Sequence, residues 1–110
     1  MLQKEIWLAN LNPTKGKEQQ GLRPVVIFSG NAMNKFMGLS IILPISSKVK
    51  NFEGCIVLEK NKTNGLSVKS EILTFQIRTI AQERLIKKIG EIDNNTLHLL
   101  KQNLIEILHY

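Results

Sequence analysis

A chain of 110 residues encloses one hydrophobic core and not two, so one domain spanning residues 1–110 is expected. Its 43% hydrophobic and 22% charged content is that of a globular protein, which excludes disorder, and no apolar run approaches the roughly 18 residues a membrane span needs. The net charge of +6 is compatible with a plain solvated surface or with a footprint for a polyanion such as RNA; five of the six excess charges fall in residues 1–50, where seven Lys/Arg face two Asp/Glu.

The N-terminus, Met1 to Trp7, has neither the basic start nor the apolar core of a secretion signal, so a cytoplasmic protein without membrane association is expected. Glu5 to Leu11 reads as a first strand, with Ile6, Leu8 or their alternates facing a core. Asn12 to Pro24 is then a polar loop of thirteen residues holding two glycines, two prolines, three cations and one carboxylate. A simple reversal needs far fewer residues, and loops of this length in small domains often carry function. Pro24 cannot donate to a sheet ladder and is expected to open the second strand, 25–29, which sets Arg23 at the loop–strand junction. Residues 30–38 form a connection with turn chemistry at both ends, and 39–45 a third apolar strand that ends at Pro44 and passes into a second polar loop, 46–51.

Residues 54–58 make a fourth short strand, and 59–65 a turn closing on Asn64-Gly65, a pair that tolerates positive φ. Residues 66–71 are a strand or its approach, and 72–80 alternate as a fifth main strand. Gln76 and Arg78 then point to one face, and Phe75, Ile77 and Thr79 to the other. A helical turn at 81–84 leads into a last strand, 85–92. Asp93 is the expected N-cap of the only long helix, Asn94 to about Leu108, whose apolar stripe is Leu97, Leu100, Leu104, Ile107 and Leu108; Leu99 and Ile105 lie off it, available to a partner subunit. The expected fold is mainly β, at the α+β margin: a small, strongly curved β-barrel of five to seven strands with one C-terminal helix.

Cys55, the single cysteine, lies in the apolar run Cys-Ile-Val-Leu with no histidine near it, and reads as a buried, inert thiol in a reducing compartment. No metal site is expected, because His98 and His109 sit on the terminal helix without spaced partners. Nor is there a phosphate-binding loop, a dinucleotide fingerprint or any other cofactor motif. The remaining polar candidates are Glu18, Arg23, the Ser46-Ser47 pair, and Gln76 with Arg78, all at strand ends or in polar loops where side chains can converge. Each has a plain structural alternative: Glu18 pairing with Lys15, Lys17 or Arg23 to order its loop, Ser46 capping a turn beside Pro44, Gln76 and Arg78 bracing the loop.

Ile6-Trp7-Leu8, the Asn12–Pro24 loop, Leu43-Pro44-Ile45-Ser46-Ser47 and Gln76-Ile77-Arg78-Thr79-Ile80 occur in this order over nearly the whole chain, which resembles the MazF/PemK (Kid) family of toxins from bacterial toxin–antitoxin pairs. The chain departs from the family at Lys4-Glu5, where Gly-Asp is usual, at Asn12, and at Ser46, which replaces a threonine and keeps the hydroxyl without the stiffening methyl. The resemblance implies an SH3-like barrel, a homodimer, and a cognate antitoxin whose C-terminal segment threads into the RNA groove. It also implies a metal-independent, cofactor-free, sequence-specific endoribonuclease that cleaves single-stranded RNA, mRNA included. Attack by the RNA's own 2′-hydroxyl would leave 2′,3′-cyclic phosphate and 5′-hydroxyl ends. On this resemblance Arg23 stabilises the transition state, Ser46 hydrogen-bonds the scissile phosphate and Glu18 is the general base. Lys15, Lys17, Gln19, Ser47, Lys48, Gln76 and Arg78 are the expected RNA contacts. Non-enzymatic readings stand beside it: a gyrase poison of the CcdB type, which shares the barrel and acts through the end of its helix, or an RNA-binding domain. The Glu18 to Arg23 loop and the Ser46 hydroxyl favour the nuclease.

Overall fold

The computed structural model describes residues 1–109 apart from Thr14, Gln19 and Gln20. The elements are β1 (Glu5–Asn10), β2 (Leu22–Ile27), α1 (Asn31–Phe36), β3 (Leu39–Ser46), β4 (Ile56–Leu58), β5 (Ser70–Ile72), β6 (Arg78–Ala81), β7 (Leu85–Glu91) and α2 (Asn94–His109), with 3-10 turns at Thr74–Gln76 and Gln82–Arg84. All pairings are antiparallel, in the order β4-β5-β3-β2-β1-β7 with β6 also on β3. The seven-stranded sheet is curled into the expected SH3-like shape and is not closed by a strand pair.

β3 is the hub. One edge pairs with β2 from Val25↔Pro44 to Ile27↔Ile42; the other pairs first with β6, from Leu39↔Ala81 to Ile42↔Arg78, then with β5 at Ile45↔Ile72 and Ser46↔Glu71. Its apolar run is continuous because both faces are covered. Leu43 and Ile45 join Ile6, Val26 and Ile72 beneath Leu97 and Leu100 of α2, whereas Ile42 joins Ala9, Val25, Ile27, Ile80 and Leu85 on the opposite face.

Several boundaries differ from those expected, each for a local reason. β2 begins at Leu22, so Arg23 and Pro24 lie inside it; the ladder to β3 starts only at Val25, and the proline sits where β2 has β1 alone as neighbour. β3 runs through Pro44 to Ser46, and the Pro44 carbonyl still serves by accepting from Leu73 N at 2.9 Å. Residues 31–36 of the first connection form α1, tied down by a buried network in which Asn34 meets Ser29 and Ser40 while Gln82 Nε2 donates to Asn34 O at 2.6 Å. The single strand expected over 72–80 is broken by the 3-10 turn at Thr74–Gln76. Asp93 caps α2 as expected, its Oδ1 accepting from Thr96 N at 2.7 Å. Along the helix stripe Leu97 and Leu100 are buried and Leu104 and Ile107 half-buried; Leu108 shares their face but, in the last turn, is 76% exposed.

Two close approaches hold the open seam of the sheet. The turn after β4 crosses β7, with Glu91 N donating to Thr63 O at 3.0 Å. Gly65 has φ +66° and a Cβ there would stand 1.8 Å from the Ile89 carbonyl oxygen; a Cβ on Gly90 would stand 2.2 Å from the Asn64 carbonyl carbon. Asn64 itself is buried, its amide bonded to Asn61 N, Leu66 N and Glu59 O. Beside this crossing, on β1, Glu5 pairs with Glu91; it is 8% exposed and accepts from Leu2 N at 2.8 Å and the Trp7 indole at 3.0 Å, with Lys88 Nζ 3.1 Å away. Burial alone would raise this carboxyl, but the donors from Leu2, Trp7 and Lys88 outweigh it and hold it below the ordinary 4.5.

Gly90→Ala is therefore expected to cost roughly 1–3 kcal/mol through overpacking, and Gly65→Ala more, because about 1–2 kcal/mol of left-handed strain is added; urea unfolding measures both. Because the folded-state pKa of Glu5 is depressed, its stabilisation is present above pH 4.5 and lost as pH falls through the folded value. The gap in thermal midpoint between wild type and Glu5→Gln is expected to be widest near neutrality and to close in acid, and a gap that widened in acid would contradict the assignment.

Candidate functional site

The Pro44–Ser46 end of β3 is where the polar candidates meet. Arg78 faces Ile42 across the β3–β6 ladder, with Gln76 in the turn just before it. On the other edge, the β2–β3 ladder ends at Val25↔Pro44, and Arg23 lies two residues before it on β2. Two adjoining cavities open over this end, one of about 640 Å³ and one of about 230 Å³, sharing Phe75 and Gln76. Lys17, Lys48 and Lys50 line the larger with Ser46 and the Phe52 ring, while Glu18, Pro44 and Arg78 line the smaller.

The loop between β1 and β2 forms one wall. Its base is closed by Leu11 N donating to Gly21 O at 2.9 Å and Gly21 N donating to Asn12 Oδ1 at 3.0 Å, and Arg84 donates to the carbonyls of Asn10 and Asn12. Near the tip, Glu18 Oε1 accepts from Lys15 N at 3.2 Å, and Gln76 Nε2 reaches Lys17 O at 3.4 Å. Glu18 Oε2 stands 4.0 Å from Arg78 Nη1, a buried nitrogen with no hydrogen-bond acceptor of its own. The ordering role considered for Glu18 is thus visible, with Lys15 N–H and the Arg78 side chain as its partners.

The opposite wall is residues 47–52, and it hangs from a buried carboxylate. Glu71, paired with Ser46 across the β3–β5 ladder, has no exposed surface. Its two oxygens accept from Lys50 N and Phe52 N, each at 2.8 Å, and the intervening Asn51 takes φ +55°, so the two flanking N–H groups reach one carboxylate. An unpaired carboxylate in this position would cost several kcal/mol, about the loss that charge-assisted donors offset. Ser46, 7% exposed, accepts from Lys48 N at 3.1 Å, which leaves its hydroxyl proton available to donate into the groove. Cys55 is half-buried rather than buried. Burial first, and the negative charge of Glu71 besides, push its thiol up against the hydrogen bonds from Thr74 and Phe75, so it stays protonated and is no nucleophile.

The structure therefore brings Lys17, Glu18, Ser46, Lys48, Gln76 and Arg78 to one groove. Arg23 is half-buried on β2 and lines neither cavity; Lys15 and Ser47 are exposed beside the groove, and Gln19 lies outside the described residues. The two-face alternation expected for 75–79 does not hold: the 3-10 turn rotates Phe75 onto the same cavity as Gln76 and Arg78. Sequence reasoning missed Lys50, Phe52, Phe75 and Glu71. The legible signal was an aromatic set among polar and cationic neighbours, Lys50-Asn51-Phe52-Glu53 and Thr74-Phe75-Gln76. Among the described residues no three His, Cys, Asp or Glu side chains are placed to hold a metal ion, and no helix is long and apolar enough to cross a membrane. Chemically, the groove can neutralise a phosphodiester, donate a hydroxyl proton to it and present one carboxylate.

Comparisons with known proteins bear on the family and the fold. Residues 2–108 match the family described as PemK-like, MazF-like toxin of type II toxin-antitoxin system. The chain is 32% identical over 105 residues to Endoribonuclease MazF9 of Mycobacterium tuberculosis, covering 91% of this chain and 89% of that one. To Endoribonuclease EndoA of Bacillus subtilis it is 32% identical over 94 residues, covering 84% and 81%. Among solved structures, MazF of Deinococcus radiodurans superposes with a TM-score of 0.83 at 24% identity over 99% of this chain and 96% of that one, a likeness of fold. The MazE–MazF complex of the same organism gives 0.75 at 26% identity over 96% and 92%. With the family matched almost end to end, the chain belongs to the PemK-like, MazF-like toxins of type II toxin–antitoxin systems.

Proposed function

We propose that this toxin is a metal-independent endoribonuclease that cleaves single-stranded RNA, mRNA included, in the cytoplasm. The observation that carries the reading is the groove at the end of β3, where Ser46, Lys17, Lys48 and Lys50 face one cavity and Glu18 and Arg78 the cavity beside it. The endoribonuclease names borne by relatives over most of their length support it and leave the gyrase-poison alternative unfavoured. RNA supplies its own nucleophile, so the protein needs to accept the 2′-hydroxyl proton, protonate or stabilise the leaving 5′-oxygen, and meet the charge that grows on the phosphorane. Glu18 accepts the proton, held by Lys15 N–H and the Arg78 guanidinium. The Ser46 hydroxyl donates to the phosphate, and Arg23, on β2 just before the ladder to β3 begins, supplies the planar donors that bind the phosphorane oxygens. Lys15, Ser47 and Gln76 flank the strand of RNA. The leaving 5′-oxygen takes its proton from water and Glu18 returns the 2′-hydroxyl proton to solvent, so the products are a 2′,3′-cyclic phosphate and a 5′-hydroxyl. A homodimer and a cognate antitoxin whose tail occupies the same groove complete the reading; a MazF has been solved with its MazE partner.

Incubation of the purified protein with a long single-stranded RNA in the presence of a chelator is expected to give cyclic-phosphate ends; a strict magnesium requirement would count against the scheme. Arg23→Ala is expected to lower kcat by roughly 100- to 1,000-fold with the fold intact, and a variant that cleaves at the wild-type rate would remove Arg23 from the mechanism. Glu71→Gln keeps the volume but loses one acceptor, leaving a buried N–H unpaired at a cost of about 1–3 kcal/mol. Faster amide exchange at Lys50 and Phe52 together with slowed cleavage is the expected outcome.

A further inference from the structure

The groove holds a feature that phosphodiester chemistry does not use. Phe52, from the loop after β3, and Phe75, from the 3-10 turn after β5, meet edge-to-face with ring centroids 5.2 Å apart and planes at 83°. An aromatic pair of this kind belongs in a core, yet the two residues are 43% and 44% exposed and both line the larger cavity. Neither is loosely placed. Phe52 N is held by the buried Glu71 carboxylate and Phe52 O accepts from Cys55 N at 3.1 Å, while Phe75 lies within the 3-10 turn whose N-cap residue, Leu73, is hydrogen-bonded to Pro44 of β3. Lys17, Lys48 and Lys50 line the same cavity. Rigid, part-exposed rings beside a row of cations are the elements of a single-strand binding platform, in which the cations track the phosphates and the rings take the bases. The volume of about 640 Å³ falls in the usual range of ligand sites.

We propose that Phe52 and Phe75 form a base-stacking subsite that receives one unpaired nucleobase adjoining the cleaved phosphodiester. The subsite rests on the endoribonuclease reading and adds to it the place where a base is held. The edge-to-face arrangement leaves one broad ring face for the incoming base and buttresses that ring from behind, so the platform is preorganised rather than built on binding. Stacking accepts any base, and preference would come from the groups around the rings, Gln76 among them. Charge complementarity argues for RNA as the occupant, since the cavity presents three lysines and no carboxylate among its lining side chains.

The test separates stacking from cleavage. A 2′-O-methyl oligonucleotide cannot be cleaved, and 2-aminopurine placed at each position in turn loses fluorescence when it stacks on an aromatic ring. Wild-type protein is expected to quench one position strongly; Phe75→Leu and Phe52→Leu, which keep an apolar side chain without the π face, are expected to lose that quenching, and Phe75→Tyr to retain it. On cleavable RNA the leucine variants should raise KM by roughly 5- to 150-fold with kcat nearly unchanged. A merely structural ring would instead lower the thermal midpoint without splitting KM from kcat. Wild-type quenching and KM in both leucine variants would overturn the subsite, as would leucine variants that weaken only the antitoxin, which would assign the rings to a peptide. Absence of quenching in the wild type refutes the subsite even if RNA is cleaved, whereas quenching without cleavage upholds it and refutes the nuclease. Should a leucine variant fail to fold, the wild-type and Phe75→Tyr quenching profiles still decide.

Discussion

Strand β3 pairs along both edges with three other strands, and the candidate groove lies at the end where those pairings run out. β2 leaves it beyond Val25↔Pro44, β6 begins only at Arg78, and β5 covers the last two residues. A strand held on both sides cannot flex along its length, so Ser46 is presented from a rigid base while the loops on either side supply the adaptable parts. The arrangement puts stiffness beneath the Ser46 hydroxyl and polar backbone in the walls of the groove on either side of it.

The two walls of the groove are organised by different electrostatics. On the β1–β2 side the carboxylate is exposed: Glu18 folds onto Lys15 N–H and faces Arg78, contacts that order a loop weakly in water. On the other side Glu71 is fully buried and its two oxygens are both taken up by backbone donors, which makes residues 50–52 an extension of the sheet rather than a free loop. Removing either donor from Glu71 would leave an uncompensated charge indoors, so this wall has one stable arrangement. That asymmetry suits a groove in which one side must admit a ligand and the other must hold its register. It also accounts for Cys55, which lies beside the Glu71 charge and is kept as a protonated thiol by burial and that charge together.

A second constraint is steric. The curled sheet is not closed by strand pairing, and the turn after β4 is laid against β7 at a distance that only glycine permits at Gly65 and Gly90. The Asn64 amide, bonded to three backbone groups, holds this crossing in place far from the groove. Stability of the shape and chemistry of the site are thereby carried by different residues, which is why substitutions at the groove can be read as functional changes.

What the sequence by itself determined was the order of the main strands, the terminal helix and the neighbourhood of the site, but not α1 or the break within 72–80. Strand positions, the Asp93 cap and the apolar stripe of α2 follow from local periodicity and capping chemistry, which are properties of residues a few positions apart. The motif order also located the Glu18 loop, Ser46 and the Gln76–Arg78 segment as partners. Boundaries at proline were misjudged because whether a missing N–H matters depends on which edge of the strand has a neighbour, and that is decided by tertiary pairing. Likewise the alternation read across 72–80 presumed a continuous strand, whereas β3 is shared between β5 and β6 and the chain must step between them through a 3-10 turn, which swings Phe75 into the groove. Glu71, Phe52 and Phe75 acquire their roles only through contacts across 19 or more residues for Glu71 and between two separate loops for the rings. Burial and cross-strand register are long-range quantities, so tertiary structure alone could show that a glutamate inside a strand anchors one wall of the groove.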